Sequence, residues 1–398
     1  MKPKAWIVIA FLAVAGVIAF ATLRKPRTAE PAKAAEVPAG GAATPAGAKA
    51  APVEITFVYG TEKKDWVEAA VAGFRQQHPE ITVTLVARGS LEAAQQILDG
   101  GLKPTLFSPA DTMVMNLLAS DWATKYNRPL FGQGDDAAQP LLLTPLVFVV
   151  WEDRAKLLVD AGGGSLSWKK IHQAVMSPKG WPAVGGKPQW GFVKLGHTDP
   201  TKSNSGLQAL LLMSLEFWGK NTLEIGDVLD EKYQAFIREI ERGVTKFEPS
   251  TGTFMTDMVR FGPSKYDIAV VYESLAVSQI ENAQGRWGNL RIYYPTPTMW
   301  SDHPAAVLDA PWVTPAQRTA GKALLDHLRS KEVQATALSF GFRPADPSVP
   351  IKTADAQNPF TRLATYGVAL ELPPVAPPPD GPVVRNLLMM WSRLVQVK

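Results

Sequence analysis

The chain contains no cysteine, which removes disulfides, thiolate metal sites, cysteine nucleophiles and a lipid-carrying anchor cysteine together. Histidine is scarce. The five present, His78, His172, His197, His303 and His327, include no pair at a metal-binding spacing such as H-x-x-x-H, so neither metal nor cofactor is expected. An excess of one charge is also lacking: 41 Lys and Arg stand against 37 Asp and Glu. The basic residues are dispersed rather than gathered into a stripe with interleaved aromatics, which argues against nucleic acid as a partner. No internal repeat is found. What remains is an ordinary globular composition, 46% hydrophobic and 20% charged over 398 residues, long enough for two domains with large cores.

The amino terminus departs from that composition. Met1-Lys2-Pro3-Lys4 precedes the uncharged run 5–23, which Arg24-Lys25-Pro26-Arg27 closes. Lysines ahead of an apolar run form an export signal, and Ala19-Phe20-Ala21 offers a small-residue cleavage site. The run also meets the roughly 20 residues needed to cross a bilayer. Residues 1–23 therefore read as a signal anchor, with a cleaved signal peptide as the alternative. Either way the bulk of the chain is expected in the periplasm, in the first case held at the inner membrane by its N-terminal helix. Residues 24–52, rich in Ala, Pro and Gly, cannot bury enough apolar surface to order themselves and read as a disordered tether.

Folded sequence starts at Val53 with the alternating Ile55-Thr56-Phe57-Val58-Tyr59. A helical pattern over 65–77, a strand over 81–87 and a helix over 91–98 follow, a cadence that predicts an α/β unit with a largely parallel sheet. The apolar runs 141–151 and 268–272 read as buried strands. Helices over 230–243 and 314–330 are expected to cover the sheets, and a last helix over 383–395 follows the proline-rich stretch 372–380.

The most informative stretch runs from Gly196-His197-Thr198-Asp199-Pro200 to Ser203-Asn204-Ser205-Gly206 and straight into the apolar segment 207–218. Small polar residues at the mouth of a helix leave backbone N–H groups pointing outward in a field of partial positive charge, a seat for an anion. The ordinary alternative is a simple helix cap. Three further polar turns follow strand-like runs: Gly60-Thr61, Phe107-Ser108-Pro109-Ala110-Asp111 and Tyr272-Glu273-Ser274. Each alone is as well explained by turn chemistry. Together they occupy the positions beyond strand carboxyl ends where open α/β sheets bind ligands.

Asp267-Ile268-Ala269-Val270-Val271-Tyr272-Glu273-Ser274, then Tyr294-Pro295-Thr296-Pro297, then Gly341-Phe342-Arg343-Pro344 resembles the distal half of type II periplasmic solute-binding proteins of bacterial ABC transporters, in the molybdate-like and related extracellular group. The resemblance covers nearly all of 53–398. It implies two lobes, 53–145 with 296–398 and 146–295, joined by crossovers near 144–150 and 293–298 and closing on a small solute by a hinge motion. Carried over by position, Thr61 and Ser108 would contact the solute from the first lobe, and Ser203, Asn204, Ser205 and Tyr272 from the second, with Glu273 beside them. The implied solute is an oxyanion and the implied partner an ABC permease. Two departures stand out. The Ser203-Asn204-Ser205-Gly206 turn lacks the proline of the molybdate binders, which argues against molybdate itself. Glu273 would face a dianion in a dry cleft, which is unfavourable; it points away, accepts a proton from the anion, or marks a cationic or zwitterionic solute.

Enzyme patterns are incomplete. Lys202-Ser203 lacks the glycine of a phosphate loop, and Asn204-Ser205-Gly206 lacks the first glycine of a nucleophile elbow. Ser167-Trp168-Lys169-Lys170 lacks its companion motifs, and Gly132-Gln133-Gly134 sits in a polar loop. Binding without chemistry is the expectation. The alternatives are a membrane-anchored sensor or scaffold that signals to a partner protein, and a hydrolase using Ser203 or Ser205 with His197, although a lone histidine more commonly orders its loop. Of the twelve tryptophans, most are expected in the core.

Overall fold

The structure, a computed structural model, describes residues 51–159 and 164–396. The export segment 1–23 and nearly all of the tether lie outside the described residues. Among the described residues no helix is long and apolar enough to cross a membrane.

The strands are β1 Val53–Gly60, β2 Ile81–Arg88, β3 Leu106–Ser108, β4 Gln139–Pro140, β5 Leu142–Trp151, β6 Leu195–Gly196, β7 Ile268–Tyr272, β8 Leu290–Tyr293, β9 Trp300–Ser301, β10 Pro304–Val307 and β11 Arg343–Pro344. They form two sheets. Sheet I has the order β2-β1-β3-β10-β4, and sheet II the order β11-β5-β7-β6, with β8 and β9 also paired to β5. The expected parallel sheet holds only for β2-β1-β3 and β6-β7. β10 runs antiparallel to both its neighbours, and β5 is antiparallel to β7, β8, β9 and β11. Strand direction is not encoded in the apolar pattern of a strand buried on both faces. In β5, Leu146, Phe148 and Val150 enter one core while Val147, Val149 and Trp151 enter another, so its period of two is hidden in a continuous hydrophobic run.

The helices that reach the junction of the sheets are α1 Lys64–Gln77, α2 Ser90–Leu98, α3 Thr112–Tyr126, α4 Asn204–Trp218, α5 Thr251–Phe261, α6 Glu273–Ala283 and α7 Gly381–Trp391. Trp66 of α1 and Leu324 of the helix Pro315–Arg329 pack on one face of sheet I, and Trp122 of α3 belongs to the core on the other. The helix α4 is buried from Asn204 to Leu215, its apolar residues over 207–215 joining the core of sheet II while Asn204, Ser205, Gln208 and Ser214 find buried hydrogen-bond partners. α7 spans both sheets' helices: Arg385 pairs with Asp121 of α3 at 2.6 Å, while Trp391 is buried in the core of sheet II.

The chain passes between sheets at Leu141, from β4 to β5, and at Asp302–His303, from β9 to β10; a third passage leads through residues 337–342 to β11. The expected crossover stretch 144–150 is instead the interior of β5, and 293–298 precedes β9. The first two passages are tied together, since Leu141 N donates to the His303 carbonyl at 3.2 Å. His303 adopts a φ of 42°, an uncommon conformation for a residue with a Cβ.

Gly206, in the first turn of α4, is required by space. A Cβ there would overlap the Thr198 carbonyl oxygen and come within 2.9 Å of the Pro200 nitrogen. Gly226, in the short helix Ile225–Leu229, faces open space. Gly206→Ala is expected to destabilise by about 1–3 kcal/mol through overpacking, whereas Gly226→Ala should stabilise by about 0.4–1 kcal/mol by restricting the unfolded chain. Urea unfolding of the two variants measures both signs.

Candidate functional site

Five helices present their N-termini near the junction of the sheets. In α1, α2, α4, α5 and α6 the residue at the N-cap position supplies no side-chain cap, although in α6 Ser274 N donates to Thr144 Oγ1 at 3.1 Å. The aligned peptide dipoles of these helices concentrate positive potential there. α3 differs, because Asp111 Oδ1 accepts from Met113 N at 2.7 Å. The backbones of the two halves approach closely where glycine allows it. A Cβ on Gly89 would lie 2.8 Å from the Lys202 carbonyl oxygen, and one on Gly252 would lie 3.1 Å from that of Thr61. The Lys202 carbonyl accepts from Leu91 N and Glu92 N, both at 3.1 Å. Beside these contacts a cleft of about 490 Å³ opens, lined among others by Thr61, Glu62, Gly252, Ser274 and Phe342.

Behind the cleft lies a buried ion cluster. Lys63 has no solvent exposure, and its ammonium meets three acceptors: Glu62 Oε1 at 3.0 Å, the Pro109 carbonyl at 3.1 Å and His303 Nδ1 at 3.2 Å. An ammonium has three protons, so Lys63 is fully spent on the protein. Burial pushes the Lys63 pKa down, opposed by Glu62. Burial likewise pushes the Glu62 carboxyl up, but the interactions led by the Lys63 charge outweigh it and hold the pKa at about 2. Burial, aided by the Lys63 charge, lowers the His303 pKa.

The residues singled out in sequence separate into groups. Ser203 occupies the N-cap position of α4, yet its hydroxyl does not cap. It lies 3.4 Å from Ser205 Oγ and 3.3 Å from Thr251 Oγ1, while Ser205 Oγ is 2.6 Å from Thr251 Oγ1 and 2.8 Å from Thr198 Oγ1. Four hydroxyls thus interlock at the starts of α4 and α5. Asn204 Nδ2 donates to the Tyr272 hydroxyl at 3.1 Å, and the Tyr272 ring lies edge-on to His303, 6.0 Å between centroids. Thr61 is half-buried at the cleft. Ser108 is buried beside Pro109, whose carbonyl holds Lys63. Glu273 is drawn elsewhere: its two oxygens accept from Arg343 Nε and Nη2, each at 2.8 Å, and Oε1 also accepts from the Tyr294 hydroxyl.

Several buried polar atoms at this junction have no partner in the protein: Ser108 Oγ, Asn204 Oδ1, Ser274 Oγ and His303 Nε2. Three of them are linked by contacts. Ser108 adjoins the Lys63 cluster, His303 touches Tyr272 and, at 5.3 Å between ring centroids, Phe342, and Asn204 bonds Tyr272. Buried polar groups are rarely left unpaired, and these four lie at the junction of the sheets. Close by, Asp111 accepts from Gln208 Nε2 at 2.8 Å, and burial together with Asp302 pushes its pKa up to about 7.

Sequence reasoning missed Lys63, Glu62, His303, Thr251 and Asp111. Lys63 sits in Thr61-Glu62-Lys63-Lys64, between the first polar turn and the helix expected over 65–77, and His303 carried no local signal. His197 orders its loop, as the commoner reading held. It is fully buried, with Nδ1 2.8 Å from the Thr198 carbonyl and Nε2 2.8 Å from Glu241 Oε2, so neither ring nitrogen is directed at Ser203 or Ser205. Burial would lower its pKa, but Glu241 more than compensates and raises it.

Residues 55–343 match the family model of the bacterial extracellular solute-binding proteins. The thiosulfate-binding protein of Pseudomonas aeruginosa is 25% identical over 292 residues, covering 69% of this chain and 72% of its own. Among solved structures, the sulfate-binding protein SubI from Mycobacterium tuberculosis superposes with a TM-score of 0.55 at 18% identity, over 81% of this chain and 94% of its own. A periplasmic thiamin binding protein does so with a TM-score of 0.60 at 15% identity, over 89% and 99%. At these identities the structural matches establish the fold alone.

Two outcomes follow from the buried charges. Lys63→Met leaves Glu62 without its counter-ion and should cost about 3–5 kcal/mol of stability in denaturant unfolding. For His197, whose pKa is raised above 6.5 on folding, the stabilisation is fully present below the unfolded pKa and lost as pH rises through the folded one. The difference in unfolding free energy between the native protein and His197→Gln should therefore shrink from pH 6 upward, as a pH series of urea titrations would record.

Proposed function

The chain belongs to the bacterial extracellular solute-binding protein family, and on that premise we propose that it captures a small oxyanion between its two sheets and presents it to an ABC permease. The observation that carries this reading is the set of buried, unpartnered hydrogen-bonding atoms gathered where uncapped helix N-termini converge. Three or four charge-assisted hydrogen bonds at about 1.5–3 kcal/mol each suffice for the ~8 kcal/mol of a micromolar complex, less the ordering cost. A tetrahedral sulfur oxyanion of the thiosulfate or sulfate class fits the named relatives and needs no lysine contact.

The lobes of this reading are built on sheet I and sheet II. Residues 53–145 and 296–398 broadly supply the first and 146–295 the second, while β9, β11 and α7 cross from the first to pack on the second. Thr61 and Ser108 contact the solute from one side, and Asn204, Tyr272 and Ser274 from the other. Ser203 and Ser205 shape the wall through the hydroxyl cluster they share with Thr251. Glu273 serves Arg343 rather than the solute, which removes the objection to a dianion. The N-terminal segment 1–23 exports the chain and anchors it at the inner membrane.

Thermal unfolding of the full chain with thiosulfate, sulfate, molybdate, phosphate, carboxylates and polyamines tests the proposal. A bound anion at 100 times its dissociation constant adds about 2.7 kcal/mol of stability, and Ser108→Ala with Asn204→Ala should abolish the shift. Stabilisation by polyamines alone, or by none of the anions, would overturn it.

A further inference from the structure

His303 combines three properties that neither its role in the hinge nor the Lys63 cluster explains together. It lies at the passage between the sheets with a φ of 42° and no solvent exposure. Its backbone is held on both sides, N donating to the Ala110 carbonyl at 3.2 Å and its carbonyl accepting from Leu141 N at 3.2 Å. Its ring stands edge-on between Tyr272 and Phe342.

The ring's tautomer follows from its neighbours. Nδ1 lies 3.2 Å from the Lys63 ammonium and 3.3 Å from Glu62 Oε1. The ammonium can only donate, and with Glu62 and Pro109 accepting two of its protons the third falls to Nδ1. A proton on Nδ1 would face the cation, and Glu62 Oε1, the other group in reach at 3.3 Å, already accepts from that ammonium. The neutral imidazole therefore carries its proton on Nε2, the nitrogen that has no protein partner. It is a buried N–H donor held in one orientation by edge-on aromatic contacts and by a hydrogen bond through the opposite nitrogen, in the way a second partner fixes which ring nitrogen of a histidine donates.

We propose that His303 donates its Nε2–H to an oxygen of the captured oxyanion, making the residue that joins the two sheets a specificity-determining contact of the site. This rests on the oxyanion reading above and adds to it a neutral donor located at the hinge. Lys63 acts at one remove: it holds the imidazole in the donating tautomer and does not touch the solute. Occupancy and hinge geometry are coupled because one residue carries both the solute contact and the left-handed backbone turn.

The decisive variant is His303→Asn. Asparagine tolerates positive φ better than most residues, and its Oδ1 can accept from Lys63 in place of Nδ1, but it has no counterpart to Nε2–H. Calorimetric titration of the full chain with thiosulfate and with sulfate should show affinity reduced about 10- to 100-fold, as expected for one charge-assisted hydrogen bond, at an unfolding midpoint close to that of the native protein. Long-range ¹H–¹⁵N correlation of the native protein, with only five histidines to assign, gives a readout independent of any variant: His303 should be protonated at Nε2 alone, and that proton should shift on saturation with the bound anion. Unchanged affinity in His303→Asn, or imidazole signals that do not move on saturation, would overturn the assignment of His303 and leave anion capture standing. Failure of the native protein to bind either anion would instead overturn the capture reading, and this inference with it.

Discussion

A single buried ammonium organises the junction of this molecule. Lys63 joins the turn after β1, the carbonyl that follows β3 and the histidine at the passage between sheets. A charge with no solvent exposure is costly unless every proton is matched and a counter-ion is close. Here both conditions hold, and each matching group comes from a different segment. The carboxyl ends of β1 and β3 and the crossover at His303 are thereby fixed relative to one another. Since Leu141 is bonded to the His303 carbonyl, the other crossover is referred to the same point.

This arrangement settles how the site uses charge. With its protons committed, the lysine sets potential and orientation without forming an ion pair with a solute. In the proposed site what faces the solute is neutral: hydroxyls, amides and an imidazole N–H, supported by helix N-termini. A direct ion pair in a desolvated cleft would be strong and indiscriminate among anions, whereas neutral donors in fixed positions discriminate by where the oxygens lie and whether they carry protons. Asp111 lies close to these groups. A carboxyl titrating near 7 next to the site is sensitive to the charge placed beside it, as its neighbour Asp302 already demonstrates.

The parts of the fold that were legible in the sequence are those governed by local periodicity. The strand Ile268–Tyr272, the helix after Asp65 and the apolar helix ending at Trp218 all fall where their patterns place them, because each is dictated by side chains within one or two turns. Polar turns after strands likewise pointed to Ser108, Asn204 and Tyr272, all of which the fold brings to one junction. Strand direction in sheet II was hidden, since β5 is apolar on both faces. Lys63 and His303 were hidden for a different reason. They are 240 residues apart, and a lysine beside a glutamate reads as a solvated pair until the fold removes the water. Glu273 illustrates the converse. Its position after Tyr272 suggested a ligand contact, and only the long-range pairing with Arg343 on β11 shows where its charge is neutralised.

The unpartnered atoms also explain why a hinge is the appropriate device. Each buried hydrogen-bonding group without a partner costs about 1–3 kcal/mol, and Ser108, Asn204, Ser274 and His303 are supplied by segments belonging to different sheets and to the passage between them. A solute can satisfy all of them only when both sheets face it at once. Its binding energy is therefore realised in one arrangement of the sheets and largely absent in any other, which is the differential affinity that a ligand needs in order to shift a conformational equilibrium.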